Sequence, residues 1–137
     1  MGNSKKYLFV CLANSHRSPT GKDVFTDMLQ ERGYTAGDLE DEIGKDFLVV
    51  SCGTRVKTYE IEGARQYTAE LGEWADVIFS ADKYVDRELW DGFEAPMKKV
   101  INLEIPDIYK IYLPNDLFAL RNLLRERLAE YVPEKKK

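Results

Sequence analysis

Four short apolar runs limit what this chain can fold into. They lie at 5–10 (which holds YLFV), 47–51, 74–80 and 99–103, and each has the length and side chains of a buried strand. Stretches with helical spacing separate them. Val24, Phe25, Met28 and Leu29 fall on one helical face, and Gly33 supplies a stop. The spacing predicts a helix over 61–71 ending at Gly72 and a shorter one over 81–90. Leu117, Leu120, Leu124, Leu128 and Tyr131 line a C-terminal helix. Strand then helix, repeated, is the pattern of a parallel sheet covered on both faces. The predicted fold is therefore α/β: a three-layer sandwich around a four-stranded parallel sheet. The acidic stretch 35–44 is expected to be a loop.

The 137 residues suit one domain over 1–137, with 133–137 a disordered tail ending in EKKK. The two cysteines, Cys11 and Cys52, form no CxxC pair, which argues against a disulfide framework and a zinc site. No apolar run is long enough for a secretory signal or membrane span. The opening MGNSKK lacks the Ser or Thr that a myristoylation start needs at position 6. A reduced, cytoplasmic compartment is expected. A net charge of −4 speaks against general nucleic-acid binding.

In parallel α/β sheets, ligands bind at the carboxyl ends of the strands. The first strand ends at Cys11, and Ser18-Pro19 reads as a helix start, with the hydroxyl at the N-cap and proline first in the helix. The intervening loop is Leu12, Ala13, Asn14, Ser15, His16 and Arg17. If its N–H groups turn inward, they form an anion cradle backed by the positive end of the helix. Arg17 adds a planar fork matched to two phosphate oxygens. The same field favours a thiolate, and a thiolate beneath a phosphate is a nucleophile facing phosphorus. Ser18 can donate a hydrogen bond to the sulfur. A buried cysteine at a strand end is the plainer alternative.

FVCLANSHRSPT resembles the phosphate loop of the low-molecular-weight protein-tyrosine phosphatases, whose pattern is strand, C-x5-R-S-P, helix. SCGT at 51–54 resembles the SAGT after that family's second strand, and WADVIFSADK at 74–83 resembles its third strand. INLEIPDIY at 101–109 and the helix after it are similar to a short bacterial branch of predicted tyrosine phosphatases. The resemblance covers most of the chain and is weakest over 35–45. It implies a phosphomonoesterase that needs no cofactor or metal. It acts on phosphotyrosine proteins or small aryl phosphates, with inorganic phosphate as product inhibitor. It also implies that Asn14 braces the cradle. Ala13 stands where the family has glycine, so its φ must stay negative. His16 stands where many members carry a second, protective cysteine.

The leaving group needs a proton from an acid within hydrogen-bond reach. In the family this is an aspartate near the C-terminus. Asp107 is the candidate here, in Pro-Asp order, with Glu104 and Asp116 as rivals. Tyr109 and Tyr112 are candidates to wall the entrance. His16, the one histidine, can tune anion affinity near neutral pH. Cys52 is a candidate redox partner for Cys11, with a small core residue as the alternative. Two other functions fit the loop: arsenate reduction on the same scaffold, and a phosphate-binding module without turnover. The first needs further relay cysteines. Arg17 argues against a phosphocysteine carrier role.

Overall fold

The computed structural model describes residues 4–41 and 44–136. The first three residues of the MGNSKK start and the last residue of the expected tail lie outside it.

Five strands form one all-parallel sheet: β1 (Lys5–Cys11), β2 (Ala36–Gly37), β3 (Phe47–Gly53), β4 (Val77–Ser80) and β5 (Val100–Asn102), in the order β2-β3-β1-β4-β5. The sequence predicts four strands. The fifth is β2, a two-residue edge inside the stretch read as a loop. A reciprocal clamp lays it beside β3: Thr35 N–H donates to the Asp46 carboxylate, and Asp46 N–H donates to the Thr35 hydroxyl.

Helices cover both faces, as the alternation predicts. On one side, α1 (Arg17–Glu31) and α5 (Pro114–Leu128) pack on Tyr7, Phe9, Val49 and Phe79 through Phe25, Leu29, Leu120 and Leu124. On the other, α3 (Ala69–Trp74) and α4 (Lys83–Phe93) bury Leu71, Val85 and Leu89 against Leu8, Val10, Val50 and Ile78. Burying each such side chain contributes about 1.5–3 kcal/mol. Arg121 and Arg125 of α5 pair with Asp27 and Glu31 of α1.

The helix predicted over 61–71 is not there. Glu60 and Gly63 hold φ of 53° and 78°, which no helix accepts. Residues 65–67 instead run beside the end of β3: Gly53 N–H donates to Arg65 O and Tyr67 N–H to Gly53 O. The chain turns helical only at Ala69, where Thr68 caps the Leu71 N–H. A short α2 (Val56–Tyr59) precedes this segment. Residues 133–136 make hydrogen bonds to residues 32 and 34. Arg32 Nη1 reaches Pro133 O, Tyr34 OH reaches Glu134 O, and Lys136 N–H reaches Arg32 O. No helix among the described residues is long and apolar enough to cross a membrane.

Candidate active site

The middle strand β1 delivers Cys11 to the carboxyl edge of the sheet, between β3 and β4. The loop then turns tightly into α1, whose first residue is Arg17. Ser18 is therefore not the N-cap that the sequence predicts. His16 holds that position without a side-chain cap, and the Ser18 hydroxyl turns inward. It lies 3.0 Å from Cys11 Sγ, 2.8 Å from Asn14 Oδ1 and 3.0 Å from Cys52 O. Asn14 N–H donates to Cys11 Sγ at 3.3 Å. Asn14 holds φ of 55°, a left-handed conformation that asparagine tolerates better than most residues. Ala13 is not among the residues with positive φ, as its methyl group requires.

The loop's first carbonyls point away from the sulfur. Cys11 O accepts from Thr54 N–H at 3.0 Å, and Leu12 O accepts from Arg55 N–H at 2.8 Å. This seats the loop on Gly53. A Cβ on Gly53 would meet Leu12 O at 2.5 Å and Asn14 N at 2.7 Å, so only glycine allows the approach. Sequence reasoning gave Gly53 no role, although the SCGT stretch was the signal.

Arg17 is buried, with 4% of its surface exposed. Its Nη1 donates to Asp82 Oδ2 at 2.6 Å and to Ile105 O at 2.8 Å. With both Nη1 protons engaged, the Nε–Nη2 edge is the fork that a phosphate can take. Asp82 also caps α4 by accepting Val85 N–H at 2.9 Å. This residue was missed as well. Its place two residues after β4, at the carboxyl edge, was the available signal.

A cavity of about 420 Å³ opens over the sulfur, lined by Cys11, Leu12, Ala13, Ser15, His16, Arg17, Tyr59, Ile61 and Asp107. Asp107 Oδ1 stands 3.6 Å from Arg17 Nε. Of the three candidate acids, only Asp107 lines this cavity among the described residues. Glu104 borders a different one, and Asp116 accepts Lys110 N–H at the start of α5. Tyr109 packs against the core rather than on the cavity wall. Tyr59 takes the wall position, and nothing local in the sequence marks it. Tyr112 stands at the rim, its ring 6.3 Å from that of His16.

Cys52 is fully enclosed in β3, and burial pushes its thiol well above the usual range. A neutral, enclosed thiol is poorly suited to relay oxidation.

No family model and no curated protein sequence matches this chain. Solved structures do match in fold. Wzb of Vibrio vulnificus, in complex with benzylphosphonate, superposes with a TM-score of 0.71 at 18% identity, over 93% of this chain and 96% of that one. A YwlE mutant from Bacillus subtilis gives 0.66 at 20% identity, over 93% and 98%. The low molecular weight protein tyrosine phosphatase SP-PTP of Streptococcus pyogenes gives 0.65 at 20% identity, over 93% and 90%. These superpositions run over nearly the full length of each chain: this chain has the fold of the low molecular weight protein tyrosine phosphatases.

Proposed function

We propose that the chain is a phosphomonoesterase that hydrolyses aryl phosphates, phosphotyrosine among them, through a cysteinyl-phosphate. The observation that carries this reading is the setting of Cys11 Sγ. Asn14 N–H donates to it and the Ser18 hydroxyl lies 3.0 Å away, beneath a cavity that also holds Arg17 and Asp107. A donor at the sulfur supports a thiolate, and the Arg17 fork supports the phosphoryl oxygens as charge develops on them.

In the first step Cys11 Sγ attacks phosphorus and the ester P–O bond breaks. Protonated Asp107 gives its proton to the departing phenolate oxygen. In the second step water attacks phosphorus and loses a proton to the Asp107 carboxylate. The P–S bond breaks, which restores the thiolate and releases inorganic phosphate. Phosphate fits the same cradle and inhibits as product. A cytoplasmic setting keeps such a thiol reduced.

Fold neighbours differ in substrate. Wzb was solved with benzylphosphonate, and YwlE is described as an arginine phosphatase. Leu12, Tyr59 and Ile61 give this chain's cavity apolar walls that favour an aromatic leaving group.

The test is hydrolysis of an aryl phosphate with metal chelated. Wild type should turn over, Cys11→Ser should be inert, and Asp107→Asn should be slower by about 10²–10⁴-fold, the usual worth of a general acid. Phosphate or vanadate binding without turnover would overturn the reading in favour of a binding module.

A further inference from the structure

The acid and the nucleophile sit on separate segments, and something must hold the two in register. After Ile105, the acid-bearing segment runs over 106–113 to the start of α5. Among the described residues, one hydrogen bond joins that segment to the phosphate loop: Ile111 N–H donates to His16 Nδ1 at 3.3 Å. A donor facing Nδ1 needs a lone pair there, which the Nε2–H form of the ring supplies. Tyr112 lies against the same ring.

We propose that His16 is a positioning residue, whose Nδ1 lone pair ties the Asp107 segment to the phosphate loop. The proposal rests on the phosphatase reading for its catalytic consequence but not for the tie itself. Imidazole is the side chain that changes charge between about pH 5 and 8. A proton on Nδ1 would turn this acceptor into a donor that opposes Ile111 N–H, so the tie needs the ring without that proton. The charged and titratable groups around the ring come from several elements. Cys11 and Arg17 belong to the phosphate loop, Asp107 to the acid segment and Tyr59 to α2. Lys110 and Tyr112 flank Ile111, and Asp116 of α5 holds Lys110 N–H. The titration is therefore best read at the ring.

The chain has one histidine, so a single ring Cε1–H resonance reports it. In the full chain, the Ile111 amide shift should move with the same midpoint as that resonance. In His16→Asn, whose side-chain oxygen also accepts, the amide shift should be flat over that range. Kinetics give the second readout. Phenyl phosphate needs an acid for its leaving group far more than p-nitrophenyl phosphate does. His16→Ala should lower kcat/KM for phenyl phosphate about 10-fold and for p-nitrophenyl phosphate less than about twofold. His16→Asn should restore phenyl phosphate hydrolysis and flatten its acid limb. An Ile111 amide that ignores the ring titration would overturn the proposal, as would equal slowing of both substrates. If wild type hydrolyses neither substrate, the phosphatase reading fails, and the amide titration, made on the free protein, still decides the tie.

Discussion

The two halves of the candidate site are built differently. Around Cys11, backbone and side chains fix one another: Arg17 and Ser18 are buried, Gly53 admits the loop, and Asp82 and Ile105 hold the guanidinium. Around Asp107 the chain is open. The Asp107 side chain is 60% exposed, and Ile108 and Tyr112 are 67% and 69% exposed. In the proposed mechanism the nucleophile must meet phosphorus along one line, and a rigid setting suits that. The proposed acid must meet leaving groups of different shapes, and a segment held at fewer points suits that. Substitutions on the first half should therefore cost both stability and rate, and those on the second should cost rate alone.

Gly53→Ala is the strongest way to break this contrast. The added methyl group must push Leu12 O and Asn14 N away, and a displacement of about 1 Å costs on the order of 10²-fold in rate. Steady-state kcat/KM on an aryl phosphate checks this, and a wild-type value would mean that the loop seats without the close approach. Next comes Asp82→Asn. Asparagine caps a helix as well as aspartate, so the change isolates the charge facing buried Arg17. A stability loss of about 1–3 kcal/mol by denaturant titration is expected. A loss below about 0.5 kcal/mol would show that Ile105 O alone satisfies Nη1.

How much of this was readable beforehand follows the same divide. The loop, its strand and its helix are contiguous in sequence, so Cys11 and Arg17 could be placed from spacing alone, while the same spacing reads Ser18 as the N-cap, a position that His16 in fact holds. Gly53, Asp82 and Tyr59 reach the site from three other segments, and only tertiary packing brings them there. The 61–71 helix was misread for a related reason. Its apolar spacing is real, but pairing of Arg65 and Tyr67 with Gly53 outweighs it. The two-residue β2 carries no periodicity to read, and the sequence left Glu104 and Asp116 as rivals of Asp107, of which three only Asp107 lines the cavity over Cys11 among the described residues.

Asp38 sharpens the contrast through pH. With Lys22, Arg65 and Asn14 it lines a second cavity beside the phosphate loop. Burial pulls its carboxyl upward, but the Lys22 hydrogen bond, the Leu39 N–H and the charges of Lys22 and Arg65 together hold it below the usual range. A carboxyl with a lowered folded pKa stabilises the fold above its unfolded pKa, and this contribution fades as pH falls through the folded value. Asp38→Asn should therefore be less stable than wild type at neutral pH, by about 1 kcal/mol or less for a partly exposed pair. The difference should close as pH drops from about 5 to below 3. A gap that stays constant with pH would assign the loss to packing. The smallest effect belongs to the open half. Ile108→Ala should shift stability by no more than about 0.5 kcal/mol, and a larger loss would show that the acid segment is anchored more firmly than its exposure implies.

The Ser18 hydroxyl has one proton and three acceptors within reach: Cys11 Sγ, Asn14 Oδ1 and Cys52 O. Turning about a single bond redirects that proton without moving a heavy atom. In the proposed mechanism, the proton can face the sulfur when it attacks and swing to either oxygen when the sulfur is esterified. Two charge states of one atom are thus served by the same scaffold, and the reorganisation that solvent water would undergo shrinks to one rotation.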